Sequence, residues 1–400
     1  MVVRWGSRLA VALALVSVSA LARGADLAAP VPPALPGAVA DANGALAVVA
    51  QDGGVAGVDM STGQARWRSG QGRWPLASAF PWVAVAAPDA ADRRLLRVRF
   101  LRPADGAVLV DAKPIRLPAA IGTDASWEGE GLSLGAGNTV VHLSAWVPRP
   151  QRGPTRDPHA GRLRIRWKTA SFIGGGGTRP SEPGPSSSGL VFVDPASGAV
   201  DAGQDDPGEG PEPTVPALPP AWRPARGTLY WNGNWFGGGW SDKPRAFRVG
   251  ESGVAGFFSY ESAIRRLVLN RFRPPEPLPA VEIAAGGEWV PQVSMDGQFL
   301  ILSQGNAGVE TFALHDLIRA GKPTRLPHLE PRFRAPFAVV GASLYYVAEG
   351  EGRGANGGAT TFPRWLVCVD WAKGKIRWTH PLPSRFLPAP IPGAGPGLPR

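Results

Sequence analysis

Cysteine is almost absent. Cys368 stands alone among 400 residues, which excludes an internal disulfide and a cysteine-rich metal cluster. Histidine is scarce too: His142, His159, His315, His328 and His380 are the full set, and no two stand four apart as paired helical ligands would. Lysine numbers only 6, so 36 of the 42 basic residues are arginine. Charged residues make up 18% and hydrophobic residues 44%, a balance that excludes wholesale disorder. What is abundant is Gly, at 52, and Pro, at 43. These destabilise a helix interior by about 1 and about 3 kcal/mol each. The composition therefore predicts a turn-rich chain of short strands.

One long uncharged run exists, Leu9 to Ala22, preceded by Arg4 and Arg8 and ending in small residues. A basic start, a short apolar stretch and alanines at the end read as a secretory signal peptide over residues 1–25, cut after Ala22 or Ala25. The run is short of the roughly 20 apolar residues that a transmembrane helix needs. An uncleaved N-terminal anchor is the competing reading. No adjacent arginine pair precedes the run and no cysteine follows it, so neither a twin-arginine route nor a lipid anchor is expected. The mature chain is expected to be exported, periplasmic or secreted, monomeric and without a membrane span. Residues 26–40 read as a Pro-rich linker and 382–400 as a Pro/Gly tail.

Between them, over 41–381, short apolar runs alternate with turn clusters. The run 45–50 is followed by Asp52-Gly53, a hairpin signal because tight hairpin turns require positive φ. One unit then recurs. A strand ends at Asp59, Gly63 follows four residues later, and Trp67 four after that. Near the C-terminus Asp370, Gly374 and Trp378 repeat the same steps. Asp194 and Gly198 give the strand and turn again, with Ala202 where the tryptophan would stand. Weaker copies surround Ala104-Asp105-Gly106 and His315-Asp316. Repeats about 40–50 residues apart with several strands each suit propeller blades. Units near 44–68, 76–117, 131–203, 227–284, 293–327 and 335–380 make six. The fourth is long enough to hide another, so six to eight blades are expected, seven preferred. An open β-sandwich with coincidental turns is the alternative. The Pro-, Gly- and Ser-rich stretches near 148–189 and 204–227 read as exposed loop insertions that supply no core.

The strand–Asp-x-x-x-Gly-x-x-x-Trp signature resembles that of the quinoprotein-like, or PQQ-like, β-propeller repeat family. The resemblance implies an all-β disc of four-stranded antiparallel blades, with Trp67 and Trp378 between neighbouring blades. It also invites a cofactor, pyrroloquinoline quinone with calcium. Enzymes of that kind hold the quinone against a Trp and, in many members, a disulfide of adjacent cysteines, which one cysteine cannot form. No Glu, Asn and Asp set for the calcium and the base can be assigned, so no cofactor, metal or catalytic residue is named. The family also includes the non-enzymatic propeller of outer-membrane assembly, which normally carries a lipid-anchor cysteine that this chain lacks.

Two features point outward. Tyr230 to Trp240 packs five aromatics, among them Trp231, Trp235, Phe236 and Trp240, among two Asn and four Gly. Flat rings on a Gly-rich loop form either a platform for a ligand or partner, or packing between blades. Arginines cluster at 93–102, and Arg162, Arg164, Arg166 and Lys168 alternate so that a strand would carry them on one face. That face is either a solvated outer strand or a surface for an anionic ligand. Nucleic acid is not an expected partner outside the cytoplasm. The Gly174 to Gly177 run lacks the Lys-Ser/Thr of a phosphate loop. The reading is a non-catalytic binding or scaffold protein of the cell envelope, with an envelope protein or anionic surface as partner. The alternative is a quinoprotein-type or other enzyme with its site in the central funnel.

Overall fold

The computed structural model describes residues 34–387 except 36, 42, 93, 118–125, 129–130, 134–138, 148–158, 160, 172–187, 203–217, 220–221, 223–227, 232–239, 245, 250–252, 262, 275, 286–288, 295–296, 307–308, 319–322, 327–331, 351–352 and 355–359. Every regular element among these residues is a β-strand, as a chain so rich in Gly and Pro requires. The strands form six antiparallel sheets, each built from one continuous stretch of chain and one for each of the six units. In the fourth unit the strands Thr228–Trp231, Phe247–Val249, Val254–Glu261 and Arg266–Arg273 all join one sheet.

The sheets are arranged around a hub. Ala38–Ala40 of the first sheet lies beside Trp74–Ala79 of the second, which lies beside Thr139–Trp146 of the third. Trp289–Val293 of the fifth likewise meets Arg332–Val340 of the sixth. Neighbouring sheets then pack face on face through apolar side chains. Val48 and Val55 meet Val83 and Val85 between sheets one and two. Phe100 and Leu96 meet Leu163 and Val193 between two and three. Leu267 and Leu269 meet Leu300 and Leu302 between four and five, and Ile301 meets Phe337 and Tyr346 between five and six. Val49 and Ala56 of the first sheet pack with Tyr345 and Cys368 of the sixth, so the two ends of the chain close the ring. The chain is an all-β propeller.

Among the described residues, no shared apolar cluster links the third and fourth sheets. The face that the fourth sheet turns away from the fifth is covered instead by Leu218, Pro219 and Trp222. These lie in the 204–227 stretch expected to supply no core. Trp222 overrides the polar composition around it, because even a half-buried indole removes a large apolar surface from water.

The sheets also run beyond the expected boundaries. Ala34–Leu35 and Ala38–Ala40, inside the expected linker, pair as a hairpin about Gly37 (φ +78°) and belong to the first sheet. The last strand continues to Leu387, inside the expected tail, and Leu382 is buried in the closing cluster. Of the 148–189 stretch, the strand Leu163–Ser171 is central to the third sheet. Residues 1–25, the expected signal peptide, lie outside the described residues. Among those described, no helix is long and apolar enough to cross a membrane.

Candidate functional site: a partner-binding surface

The repeated turns hold their aspartates in local hydrogen bonds. In the first sheet, Gly63 N donates to Asp59 O at 2.7 Å and Asp59 N to Gln64 O at 2.9 Å. The Asp194 turn repeats this with Gly198 N to Asp194 O at 2.8 Å. In the second sheet Gly106 N donates to Arg102 O at 2.8 Å, so Arg102 holds the Asp position. The glycines take φ of +74°, +70° and +71° at 63, 198 and 106, and +62° at Gly374. A residue with a Cβ resists that region, so glycine there is a requirement of the turn.

The carboxylates are satisfied inside the turns. Asp59 Oδ1 accepts from Ser61 Oγ at 2.5 Å and Ser61 N at 2.8 Å, and Asp59 Oδ2 accepts from Arg66 Nε at 2.9 Å. The Ser61 bonds, then the Arg66 guanidinium, hold its carboxyl far below the usual range. Asp370 accepts from Arg377 at 2.8 Å, and that bond lowers its pKa. Asp194 is lowered chiefly by the Ala196 N–H. Both full copies thus read Asp-x6-Arg-Trp, with Arg66 and Arg377 seven residues after the Asp. The arginine was available in the sequence as a second repeat position.

The tryptophans reach across to the next sheet. Trp67 Nε1 donates to Pro103 O at 2.7 Å, and a Cβ added at Gly106 would stand 2.5 Å from its ring. Trp378 Nε1 donates to Met60 O at 3.1 Å, and a Cβ at Gly63 would stand 2.6 Å from that ring. In the second sheet Val110 takes the tryptophan position, and the third sheet's Gly198 sits on it: a Cβ there would meet Val110 at 3.1 Å. At these three junctions the outer strand docks on the glycine turn of the sheet that follows.

The aromatic segment divides. Trp231 pairs across the sheet with Trp240, and Tyr230 with Ser241, at the base of a hairpin on the hub edge of the fourth sheet. Trp231 is half-buried against the cluster shared with the fifth sheet, and Tyr230 is buried on the opposite face. Trp235 and Phe236 lie outside the described residues.

The arginine cluster of the second sheet is matched by its own acids. Arg94 pairs with Asp92 at 3.0 Å, Arg97 with Asp89 at 2.7 Å, Arg99 with Asp111 at 3.2 Å and Arg102 with Asp105 at 3.1 Å. Arg93 lies outside the described residues. In the third sheet Arg162, Arg164 and Arg166 do share a face, opposite the buried Leu163 and Ile165. Arg162 pairs with Asp201, Arg164 lies 5.3 Å from the Phe192 ring and Arg166 5.4 Å from that of Trp146. His159 stacks on Phe192 at 3.8 Å.

Three exposed hydrophobic residues stand at turns on one face. In an antiparallel meander, the turns from first to second strand and from third to fourth emerge on the same face of the disc. Phe80 occupies such a turn in the second sheet and is 78% exposed. Val340, in the sixth sheet, and Ile318, after the third strand of the fifth, are exposed on the same face. Hydropathy alone does not mark Phe80, because only the strand order places it at a turn rather than in the core. Among the described residues no group of three or more His, Cys, Asp or Glu could hold a metal ion.

No protein-family model matches the chain, and no curated protein does. Solved structures do resemble it weakly. The dihydro-heme d1 dehydrogenase NirN in complex with DHE aligns at 14% identity and TM-score 0.28, over 88% of this chain and 66% of that one, so this chain spans just under two thirds of NirN. An uncharacterized protein of Listeria monocytogenes EGD-e aligns at 10% and 0.37, over 90% and 96%. A putative TolB from Agrobacterium tumefaciens aligns at 9% and 0.25, over 82% and 94%. With or without them, a hub of inner strands, radial sheets and indole-on-glycine contacts between successive sheets make this chain a β-propeller.

Proposed function

We propose that this chain is a non-catalytic docking propeller of the PQQ-like kind, exported to the cell envelope, whose partner is an envelope protein. The carrying observation is Phe80, a phenyl ring 78% exposed on the face where the turns emerge. Aromatic rings, phenylalanine among them, are enriched in the cores of protein–protein interfaces. Val340 and Ile318 are further exposed hydrophobic residues on that face. The acids of the repeated turns support the reading from the other side: Asp59, Asp194 and Asp370 are held by turn N–H groups, serine or arginine, and none is left as a general base. The paired arginines of the second sheet favour a protein partner over an anionic surface.

The test is affinity capture of the mature chain, from residue 26, on envelope extract, beside a Phe80→Ser variant. The same protein should be retained by the wild type and lost by the variant, at equal thermal stability. Retention by both, or turnover of a dye-linked alcohol or sugar after loading with pyrroloquinoline quinone and calcium, would overturn the proposal.

A further inference from the structure

The fourth sheet holds a pocket of about 220 Å³ between Pro219 and Trp222 on one side and the strands Arg266–Arg273 and Glu276–Ala285 on the other. Its walls are aromatic and aliphatic. Trp222 meets Phe257 edge-on at 4.8 Å and Tyr230 at 5.5 Å, and Phe272, Pro277 and Leu278 complete the lining. Rings fixed edge to face leave flat apolar walls that favour another ring. An enclosed apolar cavity of about 150 Å³ takes benzene, so this volume accommodates one ring with a small substituent.

One polar side chain lines the pocket without being used up. Asn270 sits where the pairing of these two strands slips between Leu269 and Arg271, an irregularity that re-aims a side chain. Its amide donates to Ser259 Oγ at 2.7 Å, and its other hydrogen-bonding positions have no protein partner among the described residues. The Arg271 guanidinium also lines the pocket, and it donates to the neutral Pro279 O at 3.1 and 3.3 Å.

We infer that this pocket is a binding site for a small aromatic carrying one hydrogen-bonding group, of the phenol class. The ring lies among Trp222, Phe257 and Phe272, and the hydroxyl meets the Asn270 amide. The inference is independent of the docking rim, and Phe80→Ser leaves it untouched.

Titration of the mature protein with p-cresol, followed by calorimetry or saturation-transfer NMR, tests it, with toluene as the ring without a hydroxyl. One saturable site is expected. Leu278→Trp, which fills the pocket from a half-exposed strand position, should weaken p-cresol at least tenfold. If that variant melts early, Pro277→Phe at the exposed neighbour serves the same purpose. Asn270→Val should reduce the preference for p-cresol over toluene about fivefold, the factor carried by a net hydrogen bond of about 1 kcal/mol. Absence of saturable p-cresol binding, binding unmoved by the filling variants, or an unchanged preference in Asn270→Val would each overturn the assignment.

Discussion

The indole of Trp378 donates to the backbone carbonyl of Met60 at 3.1 Å across 318 residues of chain. Tyr345 donates to the same oxygen at 3.3 Å, so one carbonyl of the first sheet holds two rings of the last. No strand is shared between those sheets. The ring closes by side-chain contact alone, which makes these few groups carry a closure that a shared strand would spread over several backbone bonds.

Truncating Trp378 should therefore be costly. Trp378→Ala is expected to lose about 3–5 kcal/mol in urea unfolding, the usual range for a buried aromatic. Trp378→Phe, which keeps much of the packing and loses the bond to Met60, should lose less.

The motif aspartate and its arginine should not weigh equally. Asp59 caps its turn through Ser61 and Thr62 as well as pairing with Arg66, whose side chain is 57% exposed. Arg66→Ala should cost less than about 1 kcal/mol, as exposed pairs do. Asp59→Ala, which orphans turn donors, should cost more. Equal losses in denaturant titration would contradict this order.

Acid should loosen the fold before the carboxylates titrate. His315 is buried at the junction of the fourth and fifth sheets, and desolvation pushes its pKa down to about 4. The unfolded chain takes up the proton near pH 6.5, the folded chain only near 4. Stability is thus complete above pH 6.5, falls as pH drops through that window by at most roughly 3 kcal/mol, and loses nothing further to this group below it. His380, also lowered by burial, adds in the same direction. His315→Leu should flatten the slope measured by urea titration between pH 7 and 4.5. The lowered carboxyls of Asp59, Asp194 and Asp370 act with the same sign at lower pH.

Much of the disc was legible because its cause is local. Asp-x-x-x-Gly fixes a turn, the turn fixes the strand pairing, and four residues later the tryptophan faces the neighbouring sheet. Which neighbour it meets was not legible, since Trp378 to Gly63 is a contact between chain ends. Trp222 was missed because a single ring inside a Pro- and Gly-rich stretch has no periodicity, and only the uncovered face of the fourth sheet gives it a place. The partner of Arg162 was not legible because Asp201 comes from another strand, whereas Arg94 and Arg102 pair with Asp92 and Asp105 close by in the sequence. Asn270 shows no signal at all in the sequence, because its role arises from a slip in pairing.

Closure of the ring is tested most directly by a double-mutant cycle on Gly63 and Trp378. A Cβ at Gly63 meets φ strain and the indole together, whereas at Gly53, with φ +79° and nothing within 4 Å, it meets strain alone. Gly53→Ala should cost about 1–2 kcal/mol, and Gly63→Ala clearly more. In the Trp378→Ala background the cost of Gly63→Ala should fall to the Gly53 level, a coupling of about 1 kcal/mol or more. Strictly additive losses would mean that the two residues do not touch, and that the first and last sheets do not close the ring.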